Sequence, residues 1–522
     1  MFSNHPATAI GRRRGRAIGA GALVLGVVSS TAACSVTGSA GSTKEDTLRI
    51  VIAEEPSTLE PCEASRSATG TVVRSNVTEP LMEFDAASGE LNPLLATEWE
   101  QTSPTVWTFT LRKGVAFSDG TPFDAEAAAH SIDRAVNSDL GCHVEGYVFG
   151  DDDLTVETPT PNTVTVETPD PDPILPLRLS FVEMVPTSTS DTEMVREPIG
   201  TGPYLIDSWE AGQQLNFVAN EDYWGEAPAW GGVSYVWRGQ GSVRAAMVIN
   251  DEADVATELG PDDGAGETQV DYATNMTSAL RMQVTEPPLD DIRVRQAINY
   301  ATNRYEITSE LEGEAATVAT QLVTSEIGGY NDSLEPWPYD PDKARELLAE
   351  AEADGVDVSE QIRLAGGTSG DTREREIFQV VQQNLTEVGL NVEIELGDSD
   401  FAAALKERPF PEDAGAYMLI VEHGNQAGDA VFTMEQYVLS DGFTSSGGSP
   451  ALDAQIRAAA ALGGTERHAA LAEVWAMEPT EVMQYSYLAH LSGSLAVNPR
   501  VNFEPDPGTG DEMRLAMITP AK

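Results

Sequence analysis

The 522-residue sequence is short of cysteine, of lysine and of clustered histidine, and each shortage removes a class of protein. Three cysteines, Cys34, Cys62 and Cys142, cannot build a disulfide-dense scaffold or a four-cysteine zinc module. Lysine occurs only at 44, 113, 343, 406 and 522, and Lys plus Arg total 31 against 84 Asp plus Glu, a net charge of −53. Such a polyanion is repelled by phosphate backbones, which excludes nucleic-acid partners. The acidic surface keeps the chain solvated and suits it to salt or to cationic ligands. The histidines, His5, His130, His143, His423, His468 and His490, include no pair at metalloprotease spacing. A Gly-x-Ser-x-Gly elbow and a Walker loop are also missing, and Gly239-Gln-Gly241 lacks the third glycine of a dinucleotide loop. Asp151-Asp152-Asp153 and Pro261 to Gly264 lack the spacing of a calcium loop and read as acidic turns. No metal, cofactor or enzymatic activity is therefore expected. The alternative is a hydrolase of peptides or glycosides whose catalytic groups assemble only in space.

One apolar run is present and it is short. Arg12, Arg13, Arg14 and Arg16 precede Ala17 to Val28, too few residues to span a bilayer but right for the apolar core of a signal peptide. Thr31-Ala32-Ala33-Cys34 resembles a lipobox, in which the cysteine is acylated and becomes the new N-terminus. Residues 1–33 are then a lipoprotein signal peptide and 34–46, small and polar, a lipidated tether. Without its signal the chain carries 27 basic and 84 acidic residues, −57 net. This predicts a domain held at the extracytoplasmic face of the cell membrane, in the periplasm where an outer membrane exists. In that compartment Cys62 and Cys142 are expected to pair, the other option being two buried free thiols.

With 41% hydrophobic residues the remainder is globular. Thr47 to Ala53 reads as a buried strand, and Trp107 to Arg112 alternates cleanly. Asp124 caps a helix carrying Ala128, Ile132 and Val136 on one face. Leu154 to Val156 and Val164 to Val166 flank Pro159 to Asn162 as a hairpin. Later, Leu280 to Val284 alternates, Asp291 opens a helix, and Pro341 to Ala353 is strongly amphipathic. Short strands at 362–364, 392–396 and 416–421 enclose a helix over 373–388 ended by Gly389. Strands alternating with helices predict an α/β architecture.

Several stretches together resemble one family, the extracytoplasmic solute-binding proteins of ABC importers in the peptide/nickel class, family 5. They are Thr78-Glu79-Pro80-Leu81 with Leu91 to Trp99; Thr108 to Phe123 around Phe117-Ser118-Asp119-Gly120; Ile199-Gly200-Thr201-Gly202-Pro203-Tyr204 with Asn220 to Gly225; Arg293 to Asn299; and Tyr339 to Ala344. The resemblance implies a two-lobed periplasmic-binding-protein fold of the class II or cluster C type, with hinge crossings and an extra subdomain in the first lobe. Lobe I would be residues 47–279 plus 490–522, with the subdomain at about 84–198, and lobe II residues 280–489. The crossings would fall near Ser278–Arg281 and Tyr487–Leu491.

It further implies a monomeric receptor, not an enzyme, that captures a solute between the lobes and delivers it to an ABC permease and ATPase complex. An oligopeptide is the expected solute, with metal chelates and glycosides the other types; a solute sensor of the same fold is a further alternative. In peptide-binding relatives an aspartate in the loop after a second-lobe strand pairs with the peptide amine. Here the matching segment is Tyr417 to Ala430, which offers Glu422, His423, Asn425, Gln426 and Asp429. Asp429 matches the Asp of a common Asp-Pro, while the amine-pairing position falls on the neutral Gln426. Glu422 is the substitute carboxylate. Glu55, in the loop from Glu54 to Glu60, is expected to face the cleft from the other lobe, and Trp337 is a candidate wall. The stretch 365–370 lacks the arginine that dipeptide binders use for the ligand carboxylate, the first cations being Arg373 and Arg375.

Overall fold

The computed structural model describes residues 46–522 except 66, 86–88, 151–152, 261, 314–315, 368–371, 412 and 506–512. The signal peptide, Cys34 and the acidic run at 151–152 thus lie outside the described residues. Two long strands, Gln269–Met282 and Tyr485–Val497, pair antiparallel at the centre of an eleven-stranded sheet. On one side of them stand Val255–Ala256, Thr47–Ile52, Gly232–Trp237, Gln214–Ala219 and Tyr204–Glu210; on the other Tyr417–Gly424, Gln361–Gly367 and Asn391–Gly397, while the eleventh, Thr317–Val318, pairs with part of Tyr485–Val497. The long pair changes register between Ala273 and Thr277 and again between Ser278 and Ala279. Extra residues in one strand of a pair bend it and increase its local twist.

Each half has its own core. Leu48, Ile50, Ile52, Tyr204, Phe217 and Tyr235 pack beneath the first half. In the second half Leu280, Val294, Ile298, Leu348, Ile362 and Phe378 fill one face, and Tyr417, Leu419, Val421, Leu452 and Trp475 the other. Alternation along Tyr417–Gly424 sends successive side chains to opposite cores. A further sheet of four strands (Ala96–Ser103, Val106–Leu111, Thr163–Glu167, Thr155–Thr160) packs with the helix Ala125–Ile132 around Phe109, Val164 and Ile132.

Short-range signals place most element ends. The side chains of Asp124, Asp291 and Asp340 accept from the first turns of the helices Ala125–Ile132, Ile292–Ala301 and Pro341–Ala353. Gly389, at φ +107°, follows the helix Thr372–Glu387. Residues 430–481, for which no element is expected above, hold three helices, Ala430–Tyr437, Pro450–Ala460 and Gly464–Glu481. Ser449 before Pro450 is the unread signal: the hydroxyl accepts from Leu452 N at 3.1 Å.

Three of the motifs that carry the resemblance meet around Glu79. Its carboxylate accepts from Thr201 Oγ1 at 2.7 Å, Tyr223 OH at 2.7 Å and Trp224 Nε1 at 2.8 Å. Gly200 and Gly202 lie against the backbone of 76–78, where an added Cβ would fall 2.1 Å from Val77 O and 2.5 Å from Asn76 O. Ser118 N donates to Gly200 O at 2.9 Å, which ties in the Phe117 to Gly120 turn. Burial pushes the Glu79 carboxyl up to about 7 against the lowering effect of its donors, first Trp224.

Candidate functional site

The parallel strands Gln361–Gly367, Asn391–Gly397 and Tyr417–Gly424 end on one side of the second half-sheet. Ligands of open α/β sheets bind beyond such carboxyl ends. A cavity of about 430 Å³ lies there, within the range of about 300–1,000 Å³ usual for small-molecule sites. Arg373, Glu374 and Ile377 enter it from the start of the helix Thr372–Glu387, and Lys406 from the end of the helix Ser399–Lys406. Ile420 and Glu422 come from the strand Tyr417–Gly424, and Met276 from the long strand beside it. Two cations and two carboxylates thus share one cavity with three apolar side chains.

Lys406 is held in place from below. Arg281, fully buried, donates to the carbonyls of Lys406 and Thr444 at 2.6 Å each and to that of Leu405, with its guanidinium 4.8 Å from the Phe410 ring centre. A cation there satisfies the open carbonyls that end the helix Ser399–Lys406. On the far side of the cavity Arg373 pairs with the buried Glu312 at 3.4 Å.

Of the residues expected from sequence, Glu422 alone lines this cavity. His423 points to the opposite face, as alternation demands: Nε2 lies 2.7 Å from Thr433 Oγ1 and the ring 4.3 Å from that of Tyr437. Burial, and secondarily the charge of Lys406, lowers its pKa to about 3, so it is neutral at physiological pH. Asn425 Nδ2 donates to Asp429 O and Thr433 Oγ1, both at 2.8 Å, and Gln426 is buried beside it. Asp429 caps the helix Ala430–Tyr437 through Val431 N at 2.9 Å, while Arg467 Nε donates to its other oxygen at 2.7 Å. Burial works to raise the Asp429 carboxyl, but His468 and Arg467 outweigh it and hold the group below the ordinary carboxylate value. The structure therefore gives Asp429 a partner of its own instead of an aspect towards the cavity.

Glu55 lies on the other half of the molecule, accepting from Trp209 Nε1 at 2.9 Å and Gly212 N at 2.9 Å. At the end of its loop Glu60 is buried in a two-pronged pair with Arg134, 2.7 and 3.0 Å. Trp337 packs edge-on against Tyr300, ring centres 5.0 Å apart, and does not line the cavity. Cys62 and Cys142 are joined, their sulfurs 2.11 Å apart. Met276, Ile377, Lys406 and Ile420 carry no local signal in the sequence, and Arg373 stands beyond the stretch where dipeptide binders place their arginine. Among the described residues no group of histidines, cysteines and carboxylates is placed to hold a metal ion, and no helix is long and apolar enough to cross a membrane.

Residues 90–445 match the model of the bacterial extracellular solute-binding proteins, family 5. The glutathione-binding protein of Salmonella paratyphi A is 28% identical over 393 residues, 73% of this chain and 75% of the relative. That of Escherichia coli O157:H7 is 27% identical over 415 residues, 77% and 78% of the two chains. Among solved structures, the Helicobacter pylori periplasmic binding protein DppA in complex with the peptide STSA superposes with a TM-score of 0.77 at 19% identity, covering 91% of this chain and 98% of that one. NikA of Staphylococcus aureus, in complex with a nickel–histidine chelate, gives 0.75 at 17% identity, covering 91% and 100%. The half-sheets on either side of the long strand pair are thus the halves of a two-lobed α/β fold, and the chain belongs to the family 5 bacterial extracellular solute-binding proteins.

Proposed function

We propose that the protein is the lipid-anchored receptor of an ABC importer, which captures a compact peptide-like solute bearing both ammonium and carboxylate groups and passes it intact to a membrane permease. Lobe I is residues 47–279 with 490–522, lobe II is 280–489, and Cys34 carries the lipid. The observation that carries the reading is the mixed charge of the 430 Å³ cavity, lined by the cations Lys406 and Arg373 and the carboxylates Glu422 and Glu374. In a chain of net charge −53, a lysine at the cavity favours a ligand with an anionic group to place against it, Arg373 already being paired with Glu312. A ligand ammonium is matched by Glu422, and both pairings strengthen when closure removes water. The relatives named for glutathione and for a bound peptide support this solute class over a glycoside. Capture followed by release needs no bond to break, so catalysis is not part of the role.

Calorimetric titration with glutathione, a tetrapeptide and nickel–histidine tests the proposal, with mass spectrometry of whatever co-purifies. Saturable binding of a zwitterionic peptide, recovered unchanged, is the expected result. Hydrolysed products, or binding of a neutral sugar in preference to every charged peptide, would overturn it.

A further inference from the structure

We infer that Phe432 and Glu435 close a clasp on Tyr147, Phe181 and Arg178, and that this clasp, outside the cavity lining, holds the two lobes shut and so sets solute affinity. The inference rests on the lobe division proposed above. The helix Ala430–Tyr437 belongs to lobe II, where Val431, Met434 and Tyr437 join the core around Trp475. Its Phe432 instead enters the lobe I subdomain core, stacked on Phe181 with ring centres 5.7 Å apart and edge-on to Tyr147 at 5.4 Å. The exchange is mutual, since Ile174 of lobe I lies in the lobe II core.

A charged contact stands beside the rings. Arg178 donates to Glu435 Oε2 at 2.5 Å, to Asp172 Oδ2 at 3.0 Å and to Val148 O at 2.6 Å. Asp172 and Val148 hold the guanidinium on lobe I, so Glu435 is the part of the arrangement that comes and goes. The Glu435 side chain keeps 33% exposure against 3% for each member of the Asp429–Arg467 pair inside lobe II. Glu435 is thus the more water-accessible end of its pair, while both members of the second pair are shut off from solvent.

The clasp is also mechanically tied to the cavity wall. Residues 425–429 alone separate the helix from the strand that carries Glu422, and Gly428, at φ +70°, sits where a Cβ would be 2.3 Å from the Phe84 ring of lobe I. Motion of the helix away from lobe I therefore draws on that strand. Apparent affinity is the intrinsic affinity scaled by the fraction of molecules in the closed form, so contacts that favour closure tighten binding without touching solute.

Small-angle scattering of the processed chain, residues 34–522, without solute and calorimetry with glutathione test this together. Glu435→Gln, which removes only the charge, and Phe432→Ala, which removes the ring, should both raise the radius of gyration and weaken glutathione binding about tenfold. Glu435→Asp should recover part of each effect. Cooperative unfolding of Glu435→Gln guards against a folding defect. Scattering unchanged in both variants, or affinity lost with no change in scattering, would overturn the clasp. If glutathione fails to bind the parent protein, the choice of solute falls while the scattering still decides the clasp.

Discussion

Arg467 reaches Asp429 from 38 residues further along the chain, Nε to Oδ2 at 2.7 Å, with both side chains 3% exposed. The partner turns an aspartate that resembles a ligand contact into a strut between the helices Ala430–Tyr437 and Gly464–Glu481. Arg467→Met should leave a buried carboxylate without its cation and destabilise the protein by about 3–5 kcal/mol in denaturant unfolding. Because the folded Asp429 carboxyl is held below its ordinary value, this stabilisation is present above that value and disappears as the pH falls through the folded one. A variant as stable as the parent at pH 7 would show that the pair does not bind the helices.

Glu79 gives the opposite pH sign. Its folded pKa of about 7 exceeds the unfolded value of 4.5, so its share of stability is complete below 4.5 and is lost as the pH rises through 7. The loss amounts to about 3 kcal/mol. Glu79→Gln does not titrate, so its stability relative to the parent should improve by that amount between pH 4.5 and 8. Parallel stability profiles for the two proteins would contradict the burial argument.

The Cys62–Cys142 bond closes a loop of sequence separation 80. Replacing both cysteines by serine should cost about 2–4 kcal/mol by freeing the unfolded chain. Reductant should lower the unfolding midpoint of the parent and leave that of the variant unchanged; insensitivity of the parent would mean that the bond contributes nothing.

Lys406 and Glu422 should separate binding from folding. Lys406→Met is expected to weaken a carboxylate-bearing solute by about 1.5–3 kcal/mol, the worth of a charge-assisted hydrogen bond. Glu422→Gln should do the same for the ammonium end, with unfolding within about 0.5 kcal/mol of the parent for each. Calorimetry with peptides acetylated or amidated at one end assigns each residue to its end. Equal losses for blocked and free peptides would remove the pairing.

Sequence alone determined what is settled within a few residues of chain. The alternation of Trp107, Phe109 and Leu111 predicts a strand with one buried face, and Asp124, Asp291 and Gly389 mark helix ends because capping bonds span two to four residues. The recurring motifs pointed to the family before any contact was known. The convergence of three of them around Glu79 appears only in three dimensions, since its donors lie 122 and more residues away. The cavity is a product of strand order: Glu422, Lys406 and Arg373 stand on three separate elements with no spacing that announces them. Glu422 and Asp429 are equally acidic as letters. The sheet register turns one towards the cavity, and the fold supplies Arg467 to the other, because burying a carboxylate demands a partner that only long-range packing can bring.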